Sequence, residues 1–569
     1  MTFAGWIEIA VTLALVVGLG LPMGRFMAAV FGGERTLLTP LFGPVERVFY
    51  KLSGIKPEEE QDWLSYSLSM VLFTAVSFVA LYLIQRLQAF LPFNPTGRDG
   101  VPPDLAFNTA ISFITNANWQ AYAGETTMSH FTQMAGLTTH NFLDTAVAMA
   151  LAVGLIRAFT RRESSTIGNF WVDLTRAALY VLLPLAILAA LAFVWLGVPQ
   201  TLQGAIEATT LEGAKQTIAI GPIASQEAIK LLGNNGGGFL NANSGHPFEN
   251  PSALTNMVEC WSQLVLPVAF IFMFGRMVGD PRQGRSLLAV MAIIFIVSVA
   301  VLYQAESSGN PLLTDIGVDP AGGNREGKDM RFSQAGAALF AVATTGTGTG
   351  AANATFDSLT PVGGLVPMLN LLAGCIAPGG VGTGLYVILI LAILSVFLAG
   401  LMVGRTPEYL GKKIEAREIR LAMLYVLLTP LLVLAFTAVS INSKVALDSL
   451  GSSGPHGFSE IFYAFASTTS DNGSAFGGLT VNTVWFNTTT GVVMIIGRVA
   501  GVIPIMAIAG SLARKKKVLP SAGTFPTDGA MFVFLLLGVT VIVTLLDFFP
   551  AITLGPLVEH LLLSSGKVF

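Results

Sequence analysis

Gly233-Asn234-Asn235-Gly236-Gly237-Gly238 lies between two apolar stretches of the chain. Three other short runs share its character: Thr115-Asn116-Ala117-Asn118-Trp119-Gln120, Thr344-Thr345-Gly346-Thr347-Gly348 and Ser470-Asp471-Asn472-Gly473-Ser474. Aligned on Asn118, Gly236, Gly346 and Gly473, the four recur at intervals of 118, 110 and 127 residues. Such runs offer backbone carbonyls and hydroxyls to a cation and little else. Ordinary surface turns are also rich in Gly and Asn. Four copies at a near-regular period instead imply internal repeats and a cation filter of fourfold pseudosymmetry.

The surroundings of the four runs set the class. The chain has 569 residues, of which 53% are hydrophobic and 11% charged, against about 25% charged in soluble domains. This is the composition of an all-α polytopic membrane protein. A net charge of −3 without a basic tail gives no sign of nucleic acid as a partner. Cys260 and Cys375 both sit in apolar runs and form no disulfide framework.

Stretches long enough to span a bilayer lie near 4–26, 65–90, 133–158, 177–198, 254–278, 285–304, 361–403, 420–441, 485–512 and 528–549, about ten transmembrane helices. As one straight helix, 361–403 would run roughly 65 Å against a hydrocarbon core of about 30 Å. It therefore breaks, and Pro378-Gly379-Gly380 is the place. Shorter apolar pieces at 104–115, 224–233, 332–344 and 457–469 precede the four loops and suit re-entrant half-helices. The repeat is helix, half-helix, filter loop, helix, used four times around a central pore. The expected divisions are 1–64 (first helix and cytoplasmic loop), pore repeats at 65–160, 161–283, 284–404 and 405–520, and a last helix in 521–569.

Segments 25–64, 157–176, 276–285, 404–420 and 513–520 carry 21 of the 31 Lys and Arg residues. The positive-inside rule places them in the cytoplasm. All four loops, and both termini, are then extracytoplasmic. The first basic residue, Arg25, follows the first apolar run, which reads as a helix and not as a secretory signal.

A K⁺ ion that sheds its water needs an oxygen cage without full negative charge, and backbone carbonyls supply one. Aiming consecutive carbonyls at one axis takes backbone angles that Gly, and sometimes Asn, reach cheaply. The candidate filter residues are Thr115, Asn116 and Asn118; Asn235, Gly236 and Gly237; Thr345, Gly346 and Thr347; Asn472 and Gly473. Each half-helix directs its negative C-terminal end at the filter.

Arg498 lies inside a span, where a charge is costly and usually faces a pore or a partner; it is the candidate constriction. Pro378, Gly379 and Gly380 are the candidate gate, with a static kink as the alternative. Asn256, Glu259 and Gln263 suit either a vestibule wall or a helix end. Glu125, Glu249 and Glu460 lie near the loops and suit either a cation-concentrating role or plain solvated positions on the outer surface. The five histidines show no close metal-ligand spacing, so no transition-metal site is expected. The Thr344–Gly350 run lacks the Gly-Lys-Ser/Thr ending of a phosphate loop, and nothing resembles a phosphorylated-aspartate site.

The chain resembles, over its whole length, the channel-like subunits of Kdp-type potassium-transporting ATPases, within the superfamily of K⁺ transporters. The resemblance is carried by Thr115-Asn-Ala-Asn-Trp-Gln120, Asn234-Asn-Gly-Gly-Gly-Phe239, His246-Pro-Phe-Glu-Asn-Pro251, Gly404-Arg-Thr-Pro-Glu-Tyr-Leu-Gly411 and Asn472-Gly-Ser-Ala-Phe476. It implies a non-catalytic, K⁺-binding subunit in a bacterial inner membrane, with K⁺ as its transported ion and no organic cofactor. It also implies a separate P-type subunit that hydrolyses ATP, two small membrane subunits, and ion transfer between the two large subunits. By the same match Gln120 flanks the filter and Arg498 is the constriction arginine. Ala117 and Asn234 depart from the threonines usual there. The alternatives are a free-standing K⁺ channel or symporter of the same fold, and a membrane enzyme, for which no catalytic cluster is visible.

Overall fold

A computed structural model describes residues 1–519 and 524–565; the expected boundary at 520/521 lies outside them. Ten helices are long and apolar enough to cross a membrane among the described residues. In chain order the main helices are α1 (Phe3–Gly32), α2 (Thr39–Ser53), α3 (Trp63–Leu87), α4 (Pro103–Ile114), α5 (Thr132–Thr160), α6 (Phe170–Trp195), α7 (Ile223–Leu232), α8 (Ala253–Met277) and α9 (Pro281–Ser307). They continue with α10 (Gln334–Thr347), α11 (Pro361–Leu372), α12 (Thr383–Val403), α13 (Ala416–Ile441), α14 (Gly454–Thr469), α15 (Val484–Arg514), α16 (Ala530–Ile552) and α17 (Val558–Ser564).

Local chemistry sets many of these ends. Asp62, Ser252, Ser333 and Thr483 accept the N-cap hydrogen bond of α3, α8, α10 and α15. Pro281 opens α9 at a position that needs no N–H. Residues 373–382 separate α11 from α12, with Gly374, Gly379 and Gly382 at positive φ, so the long apolar run does break around Pro378. A hairpin, β1 (Ala205–Thr209) paired antiparallel with β2 (Lys215–Ala219), stands between α6 and α7. The apolar periodicity carried no sign of it.

Burial sorts the spans into two rings. The helices that follow the four loops are the interior ones: in their most apolar 18 residues, 83% are buried in α5, 78% in α8, 72% in α12 and 61% in α15. In the other six the share is 22–44%, and they present apolar surface outward. The half-helices α4, α7, α10 and α14 are largely buried. In lipid the apolar faces gain little by meeting each other, so close backbone approach through small residues carries much of the packing. Gly20 and Gly24 of α1 illustrate this: a Cβ on Gly24 would lie 2.6 Å from the Ala269 carbonyl of α8.

The basic connecting segments gather at one end. Lys412 Nζ donates to the carbonyls of Arg161 and Lys515, and Lys515 Nζ lies 2.6 Å from Glu418. Arg161 pairs with Glu60, and Gln283 Nε2 donates to Thr527 Oγ1 at 3.0 Å. Segments far apart in sequence are thereby tied into one platform, opposite the loops.

Candidate functional site

Each half-helix stops because the chain turns left-handed. The turning residues are Asn116 (φ 65°), Asn234 (53°), Gly348 (71°) and Asp471 (52°), the residue types that tolerate this region best. Two residues further on stand Asn118 (φ 51°), Gly236, Gly350 (84°) and Gly473 (86°). These last four all line one cavity of about 620 Å³, together with Gln120 and Asn243.

The loops close into a ring through contacts too tight for side chains. A Cβ on Gly236 would lie 2.8 Å from the Thr349 carbonyl oxygen, one on Gly350 1.9 Å from that of Asn472, and one on Gly473 1.8 Å from that of Ala117. The first and second loops are joined by hydrogen bonds instead. Asn116 Nδ2 donates to the Asn234 carbonyl at 3.2 Å, and Asn235 Nδ2 to Asn116 Oδ1. Gln120 clamps Gly238, donating to its carbonyl at 2.9 Å and accepting from its N–H at 3.0 Å. Gln120 also donates to Tyr122, whose phenol burial pushes up, so it stays neutral. Among the described residues the carbonyls of Ala117, Asn235, Thr349 and Asn472 accept no hydrogen bond. They are neutral oxygen acceptors left unspent, and every loop supplies at least one.

The expected filter residues divide between ring and scaffold. Thr115 returns its hydroxyl to Ile111, Asn472 Nδ2 donates to the Thr344 carbonyl, and Gly237 leaves room for the Phe113 ring. The third loop corrects the sequence alignment. Thr345, Gly346 and Thr347 are the last turn of α10, with both threonine hydroxyls bonded four residues back. The Gly346 carbonyl accepts from Ala377 at 3.1 Å and Gly379 at 3.0 Å, so it braces the break and is spent. Gly350 takes the place assigned to Gly346, and the intervals become 118, 114 and 123 residues. The run Thr344–Gly350 has glycine at 346, 348 and 350, and composition alone cannot say which one ends the helix.

Comparison with known proteins follows the same lines. The sequence matches the family described as the potassium-transporting ATPase A subunit over residues 10–561. The chain belongs to that family. It is 55% identical to the potassium-transporting ATPase potassium-binding subunit of Mesorhizobium japonicum and 53% identical to that of Allorhizobium ampelinum, over the full length of both chains in each case. The potassium transporter TrkH of Vibrio parahaemolyticus shares the fold, with a TM-score of 0.52, 15% identity, and coverage of 88% of this chain and 97% of that one. As an A subunit the chain is a multi-pass transport component, with catalysis in a separate subunit.

Two clusters of buried charge adjoin the loops in this family member. Arg498 of α15 is 2% exposed and lies 3.2 Å from Asp471 of the fourth loop and 3.3 Å from Asp144 of α5. It lines a cavity of about 60 Å³ with Gly348, Gly374, Tyr386 and Asp471. A second cavity, of about 50 Å³, shares Gly374, Val387, Tyr425 and Thr429 with the first and extends to Thr540 and Asp547 of α16. Of the candidate gate, Gly379 holds Gly346, while a Cβ on Gly380 would meet Thr383 Oγ1 at 2.2 Å; Pro378 follows a cis peptide bond.

The other cluster was missed in the sequence. Lys230 of α7, fully buried, lies 2.7 Å from Glu227 and 2.7 Å from Glu249 and donates to Asn243 Oδ1 at 2.8 Å. Asn243 Nδ2 in turn donates to the Gly236 carbonyl at 2.8 Å. The i, i+3 spacing of Glu227 and Lys230 in a short apolar helix was the available signal. Glu249 and Glu460 are 0% and 1% exposed and thus are not surface acids, because each accepts backbone N–H bonds inside the loop region. Glu125 is half-buried and accepts from Asn241 N–H. Asn256, Glu259 and Gln263 are all buried in the first turns of α8, where Asn256 accepts from Asn250 and Asn353.

Proposed function

We propose that this chain takes K⁺ from the extracytoplasmic side of a bacterial inner membrane and passes it sideways to a P-type ATPase subunit. Selection takes place in the ring of loops around Asn118, Gly236, Gly350 and Gly473. The observation that carries this reading is the closed ring in which every loop has at least one unspent neutral carbonyl. Such oxygens replace a hydration shell without holding the ion irreversibly.

Arg498 is the constriction on this reading. Paired with two carboxylates, it blocks a straight path to the cytoplasmic side, and the two small cavities that share Gly374 lead towards α16 instead. The segment around Pro378, Gly379 and Gly380 gates that lateral step, and the division into four pore repeats at 65–160, 161–283, 284–404 and 405–520 follows the ring. The assembly holds two further small membrane subunits, and both termini of this chain face outward.

The deciding experiment is K⁺-stimulated ATP hydrolysis in a co-expressed complex, with Gly236→Asp as the variant. A carboxylate there enters the ring and changes the order of K⁺, Rb⁺ and Na⁺ as stimulators. Unaltered ion order in an assembled Gly236→Asp complex removes Gly236 from the filter. Extraction of a chain with no ATPase partner and intact K⁺ flux supports a free-standing channel or symporter.

A further inference from the structure

The five histidines have no close metal-ligand partners along the chain, but the fold brings together residues about a hundred positions apart. His456 stands in the first turn of α14, and Glu460, one turn on, shares its face. Asp357 comes from the short turn after the third loop and is anchored by its N–H to the Phe476 carbonyl at 2.6 Å. One ligand atom from each of these residues lies within 4.8 Å of those of the other two. His456 Nε2 is 2.8 Å from Asp357 Oδ1, and Nδ1 is 2.8 Å from Glu559 Oε1 on α17.

Glu460 supplies the observation that separates this cluster from a plain ion pair. It is 1% exposed; Oε2 accepts from the Gly451 N–H, while Oε1 has no hydrogen-bond partner. That bare oxygen lies near Asp357: a Cβ on Gly478 would lie 2.6 Å from Glu460 Oε1 and 3.0 Å from Asp357 Oδ1. A buried, unpartnered carboxylate oxygen beside a second carboxylate calls for a cation between them.

We propose that Asp357, His456 and Glu460 bind a divalent transition-metal ion of the zinc type on the loop side of the membrane, with Glu559 orienting the imidazole. One nitrogen and two carboxylate oxygens suit zinc, which uses three protein ligands where a fourth place is left to water. An oxygen-only cage would suit calcium or magnesium better. Glu559 occupies the position of the carboxylate that usually receives the second ring N–H of a metal-bound histidine. A cavity of about 300 Å³ lined by Ser452, Asp357, His456 and Glu559 adjoins the site and supplies the water ligand and entry path. The ion would pin the third-loop exit, the fourth half-helix and the C-terminal helix to one another.

The test uses the untagged, chelator-stripped complex titrated with Co²⁺ and then Zn²⁺. Expected is one Co²⁺ per chain with the visible absorption of low-coordinate cobalt, displaced by Zn²⁺. His456→Gln and Glu460→Gln should each weaken binding about 100-fold or more, and Glu559→Gln about 10–100-fold. Absence of saturable Co²⁺ binding by the wild-type complex overturns the site without recourse to variants. Stoichiometric binding that survives in both monodisperse His456→Gln and Glu460→Gln complexes overturns it equally, by placing the metal elsewhere. A Ca²⁺ titration that displaces Co²⁺ as well as Zn²⁺ does would overturn the assignment to a zinc-type ion.

Discussion

The second and fourth loops each rest on a buried cation, and they use it differently. Under the second loop, Lys230 is enclosed by Glu227 and Glu249 and acts through Asn243 on one ring carbonyl. It lines neither of the small cavities. Under the fourth loop, Arg498 is paired with Asp144 and Asp471 yet lines the cavity below the ring. On the reading proposed above, the first charge is scaffold and the second lies along the ion's route. The chemistry agrees: an ammonium with three short partners is fully used, whereas a planar guanidinium can hold two carboxylates and still present a face.

Breaking each pair separates the roles. Lys230→Met leaves two carboxylates buried without a cation, which costs about 3–5 kcal/mol. The expected outcome is loss of the chain from membranes or a sharply lower melting temperature of the complex, and normal yield and melting would remove Lys230 as scaffold. Arg498→Gln should cost less stability, since Asp471 borders a cavity that admits water, but more transport. Two unpaired carboxylates below the ring would hold K⁺, so turnover should fall about tenfold, roughly 1.4 kcal/mol, while the K⁺ concentration for half-stimulation drops. Arg498→Lys should recover part of the turnover. Equal damage by Lys230→Met and Arg498→Gln to both yield and turnover would erase the distinction.

The third loop gives a smaller and more local test. Gly350→Ala forces a side chain into left-handed backbone, about 1–2 kcal/mol, and against the Asn472 carbonyl. K⁺ should stimulate hydrolysis roughly tenfold less tightly, with weaker discrimination against Na⁺. Gly346→Ala strikes the Ala377 carbonyl in the break and should leave the order of K⁺, Rb⁺ and Na⁺ intact. Stimulation curves for the three ions decide; the reverse pattern would restore Gly346 to the ring.

This exchange of one glycine for another marks where the sequence stopped being informative. Spans, half-helices and the break near Pro378 were readable because each rests on a run of apolar residues of definite length or on a local breaker. Helix ends inside a Gly-Thr repeat were not, since three glycines were equally able to turn left-handed. Arg498 was visible as a charge in a span, but Asp144 and Asp471 as its partners were not, because their pairing depends on which faces of α5 and α15 meet. Lys230 was overlooked among outer-side basic residues, and the Asp357–His456–Glu460 cluster spans about a hundred residues of sequence. Long-range juxtaposition, not residue chemistry, is what the fold added.

The smallest effect concerns the one ring position that is not glycine. Asn118 holds φ 51° and is 2% exposed, with neither side-chain polar atom partnered. Two accounts of it make different demands. If asparagine is there only because it tolerates left-handed backbone, Asn118→Gly makes the first loop like the other three, and K⁺ stimulation should move less than about threefold, under 1 kcal/mol. If its amide oxygen serves the ion entering from the 620 Å³ cavity, the same change should weaken K⁺ by about tenfold or more. The ring contacts favour the first account. The first loop meets the second through Asn116, Asn235 and Gln120, so no tight glycine contact is needed at 118. Asn118→Ala sharpens the choice: it keeps a Cβ but gives up asparagine's tolerance of positive φ, and should therefore be worse than Asn118→Gly only if conformation is what matters.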